Sequence, residues 1–304
     1  MYFLNDEEKK QLIKNYLPRS RQMDIAEELR GWNWHQPPLA PVYDLRLALY
    51  EVANSYCPTA RDLYLRRIDG IKARPNPAMV RGRVLHDVLA QVLVRAKKAI
   101  YNNNLENVGQ LIREVGDPPA LDLVKPGHIS DEDWDEIKKK AEIIARFEAG
   151  RIQSRLQDVL VKQPNIGVDS LVSLALPVVV EQRLDGSFLG LSPNLSSDAF
   201  TFSEPMILDL KFGEPQKFHR LTTTGYALVM ESLHEYPVNL GCLVYVDFRG
   251  DRMTIRKDIH IIDDELRQWF IEERDNKMRM LYEEIDPGMD NCYPHCPYTL
   301  NCRG

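Results

Sequence analysis

The run ILDLKFG, Ile207 to Gly213, sets an Asp and a Lys two residues apart inside an apolar stretch. Strand side chains alternate faces, so a strand here sends Asp209 and Lys211 one way and Leu208 and Leu210 the other. Two charges flanked by Ile and Leu are costly to desolvate without a purpose. One purpose is chemistry, with the carboxylate holding a divalent metal and the Lys activating water or steadying a developing charge. Taken alone, D-x-K is a common pattern that reads as a surface ion pair on an edge strand.

The surroundings of that strand set the fold class. Residues 6–17 and 20–30 read as short helices separated at Pro18, followed by helical spacing over 45–57 and 59–67. Between them GWNWHQPPLAPVYD is a loop whose Trp32, Trp34 and His35 either stack on bases or, more commonly for aromatics near Pro, pin the loop to a core. From Ala78, Val84, Val88 and Val92 with Leu85, Leu89 and Leu93 fill both i+4 rows of an amphipathic helix, with His86 near its start. Residues 131–163 read as a long charged helix opened by Ser130-Asp131-Glu132-Asp133. The texture changes at about residue 168, where SLVSLALPVVVEQRL is apolar and β-branched. Strand-like pieces follow around 187–191, 198–202 and 205–211. A helix over 222–235, a hairpin of 239–248 with 251–262, and a last helix over 263–284 complete the pattern. The expected class is α/β, a mixed sheet flanked by helices. The expected division is an N-terminal helical region (1–167), a sheet core (168–285) and a cysteine tail (286–304).

Composition limits the partners. No apolar run in the 304 residues approaches the roughly 20 of a membrane span, and MYFLNDEEKKQ lacks a signal-peptide layout, which reads as a cytoplasmic protein with no membrane partner. A net charge of −6 does not advertise nucleic-acid binding. Yet Arg61 to Lys98 holds ten basic residues against three acidic ones, an excess that can track phosphates or form a solvated helical face.

Five cysteines, an odd number, argue against a disulfide framework. Cys292, Cys296 and Cys302 crowd into a short aperiodic tail, where thiols ask for a metal. Three ligands are one short. Cys57, at a helix end before Pro58, is the candidate fourth, since Cys242 reads as a buried strand residue. Zinc and an iron–sulfur cluster both accept four thiolates, and one remote Cys with a terminal trio favours the cluster.

A metal-dependent phosphodiesterase needs carboxylates converging on a divalent ion and a source of hydroxide. Asp209 is one such carboxylate, and Asp198, eleven residues upstream, is brought beside it by a hairpin. Glu181 is a charge within VVVEQRL that needs a partner. His86 would add a nitrogen ligand suited to Mn²⁺ as well as Mg²⁺, although a lone helical His is more often structural.

In this order, Glu181, Asp198 and Asp209-Leu210-Lys211 resemble the PD-(D/E)xK nuclease core in its RecB-like form. Gly82 to His86 resembles the G-x-x-x-H motif of that branch, and one early Cys with three late ones resembles the four-cysteine iron–sulfur nuclease domain. Together, from about Cys57 to Cys302, they look like the RecB-like exonucleases of CRISPR adaptation modules, in the longer archaeal type I-A variant. The resemblance implies a [4Fe–4S] cluster on Cys57, Cys292, Cys296 and Cys302. It implies Mn²⁺ or Mg²⁺ on His86, Asp198, Asp209 and the Leu210 carbonyl, with Lys211 and Glu181 handling the water. It further implies cleavage of single-stranded DNA ends, 5′ to 3′, in the processing of spacer precursors beside the integrase proteins. The family's Q-x-x-x-Y is matched at Tyr226 but has Thr222 at the Gln position, and Ser196 and Ser197 stand where a glycine usually precedes the first Asp. Two other readings follow from these departures and the cysteines: an inactive DNA-binding subunit of the integration complex, or a zinc-stabilised nucleic-acid-binding module.

Overall fold

The computed structural model describes residues 1–103, 105, 107–201, 204–293 and 296–303. In chain order the helices are α1 (Asp6–Gln11), α2 (Leu17–Gln22), α3 (Leu49–Ala53), α4 (Arg61–Arg67), α5 (Pro77–Asn103), α6 (Val108–Gly116), α7 (Asp131–Lys162), α8 (Val168–Ala175), α9 (Arg220–His234), α10 (Asp264–Tyr282) and α11 (Thr299–Arg303). The strands β1 (Val179–Leu184), β2 (Leu195–Thr201), β3 (Met206–Lys211), β4 (Leu240–Arg249) and β5 (Arg252–Ile261) form one five-stranded sheet in that order. Neighbours are antiparallel except β3 and β4, which are parallel. A parallel pair needs a crossover, and α9 provides it.

Helices cover both faces. Ala199, Leu208, Leu210, Cys242 and Val244 pack with the apolar rows of α5, α7 and α8. Phe200 and Ile207 pack on the other side with α3, α9 and α10. The alternation in ILDLKFG is therefore real: its leucines enter one core and Ile207 the other, with Asp209 and Lys211 on the Ile207 side. No helix among the described residues is long and apolar enough to cross a membrane.

Several local expectations are corrected. Pro18 does not separate a pair of helices. It sits in the first turn of α2, where a missing N–H is tolerated, and a π-helical turn over Leu12–Tyr16 joins α1 to α2. Helix does not continue to 30; only Glu27–Leu29 makes a short 3₁₀ turn. The helix expected over 45–57 shrinks to α3 because Leu47 is drawn into a strand-like bridge, donating to Gly190 O and accepting from Ser192 N–H. Val168–Ala175 is a helix whose buried stripe of Leu171, Val172 and Ala175 is hidden in a short apolar run. The piece at 187–191 holds a 3₁₀ turn, and β2 ends at Thr201, with 202 outside the described residues. The aromatic loop is pinned rather than free. Trp34 stacks on Phe188 at 4.3 Å, and Trp32 Nε1 donates to Glu27 at 2.7 Å.

The crossover helix is locked by one carboxylate. Glu231 of α9, wholly buried, accepts from Arg267 Nη1 at 2.7 Å and Nη2 at 2.9 Å, and from Arg30 Nη1 at 3.1 Å. It also accepts from the Gly31 and Val238 backbone N–H groups at 2.9 and 3.0 Å. Gly31 has no room for a side chain, since a Cβ would lie 2.2 Å from Leu228 O. Removing Glu231 strands two buried guanidinium groups. Glu231→Ala is expected to lower the unfolding free energy by about 3–5 kcal/mol, read as a shift of the urea midpoint at unchanged slope.

Candidate active site and cysteine clip

The site forms where β2 and β3 diverge. Their ladder runs from Thr201↔Met206 to Ala199↔Leu208 and stops one pair short of Asp198 and Asp209. The Asp198 carboxylate takes over there, with Oδ2 accepting the Leu210 N–H at 2.8 Å. The same oxygen lies 3.3 Å from His86 Nδ1 on α5, whose ring stands edge-on to Phe212. His86 thus reaches the carboxylate pair from the opposite layer. Burial pushes the Asp198 carboxyl up to about 6, with the Asp209 charge adding to it and His86, the Leu210 N–H and Lys211 opposing.

Asp209 and Lys211 pair along one face of β3, with Lys211 Nζ 2.9 Å from Asp209 Oδ2. A carboxylate oxygen has two lone pairs, so this buried oxygen keeps acceptor capacity beyond the lysine. Burial pulls the Lys211 ammonium down, but Asp209 and Asp198 outweigh it and hold its pKa above the ordinary value. Lys211 is therefore a charged donor at neutral pH, suited to orienting a water rather than deprotonating it. Thr222, at the position where the related motif carries Gln, reaches Lys211 Nζ with its hydroxyl at 3.4 Å. Tyr226, one turn along α9, donates to Ser196 O at 2.5 Å.

Glu181 is exposed on β1, not embedded. It lies opposite Asp198 in the register but is skipped by the pairing, with a left-handed φ of 50°. It is the one described non-glycine strand residue with a positive φ, a conformation that is uncommon outside turns and functional sites. Its carboxylate accepts from Ser196 Oγ at 2.9 Å.

Sequence reasoning missed an aromatic wall beside Lys211. His219 Nε2 lies 3.0 Å from Tyr56 Oη, and Nδ1 lies 3.2 Å from Tyr245 Oη. Burial, then the Lys211 charge, lowers the His219 pKa to about 4, so the ring is neutral. Tyr2 is also near. Burial and then Asp198, Asp209 and Glu181 raise its phenol well above the usual range. Nothing in the sequence pattern marks these residues, because each comes from a different segment.

The four candidate thiols gather on the other side of Tyr56. Thr59 Oγ1 donates to Gly288 O at 2.9 Å, Arg61 Nη2 to Asp286 at 2.8 Å, and Arg61 Nη1 to Cys302 O at 3.1 Å. These bonds bring the tail against the Cys57 loop. Burial raises the Cys302 thiol, and Cys292, Cys296 and Cys57 add to the rise. Thiolates are soft ligands, so thiols gathered this way form a donor set suited to a metal cation. Cys242 stands apart, buried in β4 and pushed up to about 12. Residues 294 and 295, within the tail, lie outside the described residues, as does 304. Among the described residues no three His, Cys, Asp or Glu side chains are gathered closely enough to hold a metal ion as they stand. The donor types and the open lone pair on Asp209 fit a divalent cation at the carboxylates, as the thiols fit a metal or cluster at the clip.

The basic segment divides. Arg61 pairs with Asp286, Arg66 and Arg67 with Glu51, and Arg95 and Lys97 donate to backbone carbonyls. Arg83, three residues before His86, is exposed on α5. At Gly82 a Cβ would meet nothing within 4 Å, so the helix backbone is open there.

A family model described as CRISPR-associated exonuclease Csa1 matches residues 1–304. The CRISPR-associated exonuclease Csa1 of Saccharolobus solfataricus is 31% identical over 287 residues, spanning 92% of this chain and 93% of its own length. That of Thermoproteus tenax is 29% identical over 281 residues, spanning 92% of each.

The raised Asp198 carboxyl sets a sign for stability. Below its ordinary 3.8 the group is protonated folded or unfolded, with no penalty. As the pH rises through about 6, the fold must hold a charge that the unfolded chain accepts earlier, and stability is lost. In metal-free buffer, Asp198→Asn, which keeps an acceptor for Leu210, is expected to raise the melting temperature at pH 7. The gain is on the order of 1–3 kcal/mol and should vanish by pH 4.

Proposed function

The chain belongs to the Csa1 family of CRISPR-associated exonucleases, and we propose that it is a divalent-metal-dependent deoxyribonuclease with a PD-(D/E)xK core. Its proposed substrate is the end of single-stranded DNA, trimmed 5′ to 3′ as spacer precursors are prepared for the CRISPR integrase proteins in the cytoplasm. The observation that carries this reading is the open β2–β3 edge. There Asp198 carries His86, Asp209 carries Lys211, and Glu181 stands beside them in a left-handed conformation.

His86, Asp198, Asp209 and the Leu210 carbonyl would hold Mn²⁺ or Mg²⁺, which when bound supplies Lewis-acid charge neutralisation and more acidic water. The chain's own groups do the rest. The Lys211 ammonium donates to the attacking water and to the charge that builds on the phosphoryl oxygens. Thr222 steadies Lys211, and Glu181 would accept the water's proton. The water oxygen bonds to phosphorus in line as the P–O bond to the leaving nucleotide breaks. Tyr226, through Ser196, braces the strand that carries Asp198. The opening at Gly82, with Arg83 beside it, leaves room for a phosphodiester backbone to approach His86.

Cys57, Cys292, Cys296 and Cys302 would hold a [4Fe–4S] cluster, or zinc in its place, in a structural role. The remaining division, a helical region over 1–167, a nuclease core over 168–285 and a clip over 286–304, follows this reading. An inactive subunit is less well supported, because Thr222, the departure that suggested it, touches Lys211.

Lys211→Ala is expected to slow Mn²⁺-dependent cleavage of end-labelled single-stranded DNA by about 10²–10³-fold, with the circular dichroism spectrum unchanged. An unaffected rate would exclude this site. Anaerobically purified protein is expected to be brown, with iron and acid-labile sulfide that Cys57→Ser removes; a colourless protein with stoichiometric zinc would assign zinc instead.

A further inference from the structure

We propose that Tyr56 is a substrate-contacting residue, its hydroxyl donating a hydrogen bond to a non-bridging oxygen of the phosphodiester held beside Lys211, with His219 as the residue that aims it. The proposal rests on the nuclease reading above.

The neighbours of His219 decide which ring nitrogen carries its proton. The Gln216 backbone N–H approaches Nδ1 at 3.4 Å, and a backbone N–H can only donate. Nδ1 is therefore the bare nitrogen of this buried, neutral ring, and the proton sits on Nε2. Tyr245 Oη, at 3.2 Å, also donates to Nδ1. Nε2–H faces Tyr56 Oη at 3.0 Å, so the Tyr56 oxygen accepts. Its own proton must then point elsewhere.

Among the described residues, no hydrogen bond gives that proton an acceptor. The charged group that acts on the phenol is the Lys211 ammonium, itself a donor. Tyr245, the register partner of Lys211 on β4, joins it to Tyr56 through His219, and an O–H and an N–H⁺ gathered in this way suit an anionic oxygen. Tyr56 is 39% exposed, open enough for a nucleic-acid strand to reach it.

The hydroxyl is also held in place. The Tyr56 ring stands edge-on to Phe218 at 4.9 Å and lies against Tyr293 at 5.2 Å. Its backbone N–H donates to Asn54 Oδ1 at 2.9 Å. Its chain neighbour is Cys57, and Tyr293 follows Cys292, so two residues of the cysteine clip flank this position. Such fixing is what lets a single neutral donor discriminate between ground and transition states.

The test is Tyr56→Phe, which keeps every ring contact and removes only the oxygen. Cleavage is measured on single-stranded DNA whose scissile linkage is either natural or a single phosphorothioate of defined Rp or Sp configuration. The parent is expected to be slowed more by one isomer. Tyr56→Phe is expected to lower kcat about tenfold to a hundredfold at little-changed KM, and to weaken the preference between isomers. His219→Gln, which retains a nitrogen donor towards Tyr56, should fall between the two. Melting temperatures within a few degrees of the parent keep these changes from being a folding defect. Should Tyr56→Phe melt early, the His219→Gln isomer preference decides the matter, reduced in support or unchanged against. An active parent whose Tyr56→Phe variant keeps its kcat, or its full isomer preference, overturns the role of the hydroxyl alone. A parent that cleaves no DNA fells the nuclease reading, and this inference with it.

Discussion

Glu231 is the carboxylate on which the placement of the site depends. It sits at the far end of α9 from Thr222 and Tyr226, in a pocket that excludes water, bonded to two arginines and two backbone N–H groups. A buried charge of this kind is satisfied in one arrangement only, because any slip leaves a guanidinium or an amide unpaired. The helix cannot then rotate or slide, and its first turns hold Thr222 on Lys211 and Tyr226 on Ser196. Arg30 and Gly31 tie the N-terminal loop to the same anchor, which gives residues before 56 a structural task that their sequence does not announce.

The site itself runs against stability. Two carboxylates face each other where a ladder bond is missing, and one of them has its proton affinity raised by burial and by its neighbour. Glu181 holds a backbone conformation that strands avoid. Such features persist only where the surrounding structure enforces them, and here two cores, one on each face of the sheet, do so. Lys211 is kept charged by the same carboxylates that it partly neutralises, so its role as a donor is a property of the group rather than of the lysine alone.

Much of this was legible in the sequence where a period or a short spacing carried it. The alternation of ILDLKFG fixed the faces of β3, the i+4 rows fixed α5, and the hairpin β4–β5 turned where Gly250 stands. His86 lies 3.3 Å from Asp198 across the layers. What escaped depended on long-range partners. The run at 168–175 is too short for its helical stripe to be told from a strand, and Leu47 left its helix to bond Gly190. Tyr56, His219 and Tyr245 converge from three segments, and no local pattern foretells such a meeting. Thr222 looked like a loss when compared with a longer amide, because the distance to Lys211 is a tertiary quantity.

The contact between the Cys57 loop and the tail has a consequence for biosynthesis. Thr59 and Arg61 wait for Gly288, Asp286 and Cys302, so the whole sheet must be synthesised between the two halves of one contact. Contacts of such sequence separation close late, and domains condense from the N-terminal side as the chain emerges. The strands that carry both carboxylates and Lys211 are all synthesised before the second half of the clip. Until that half arrives, the clip's flank of Tyr56 is missing Tyr293, and the wall beside Lys211 is left unfinished. The stretch after α10, made after every strand of the sheet, is in this way the one that completes the surroundings of the site.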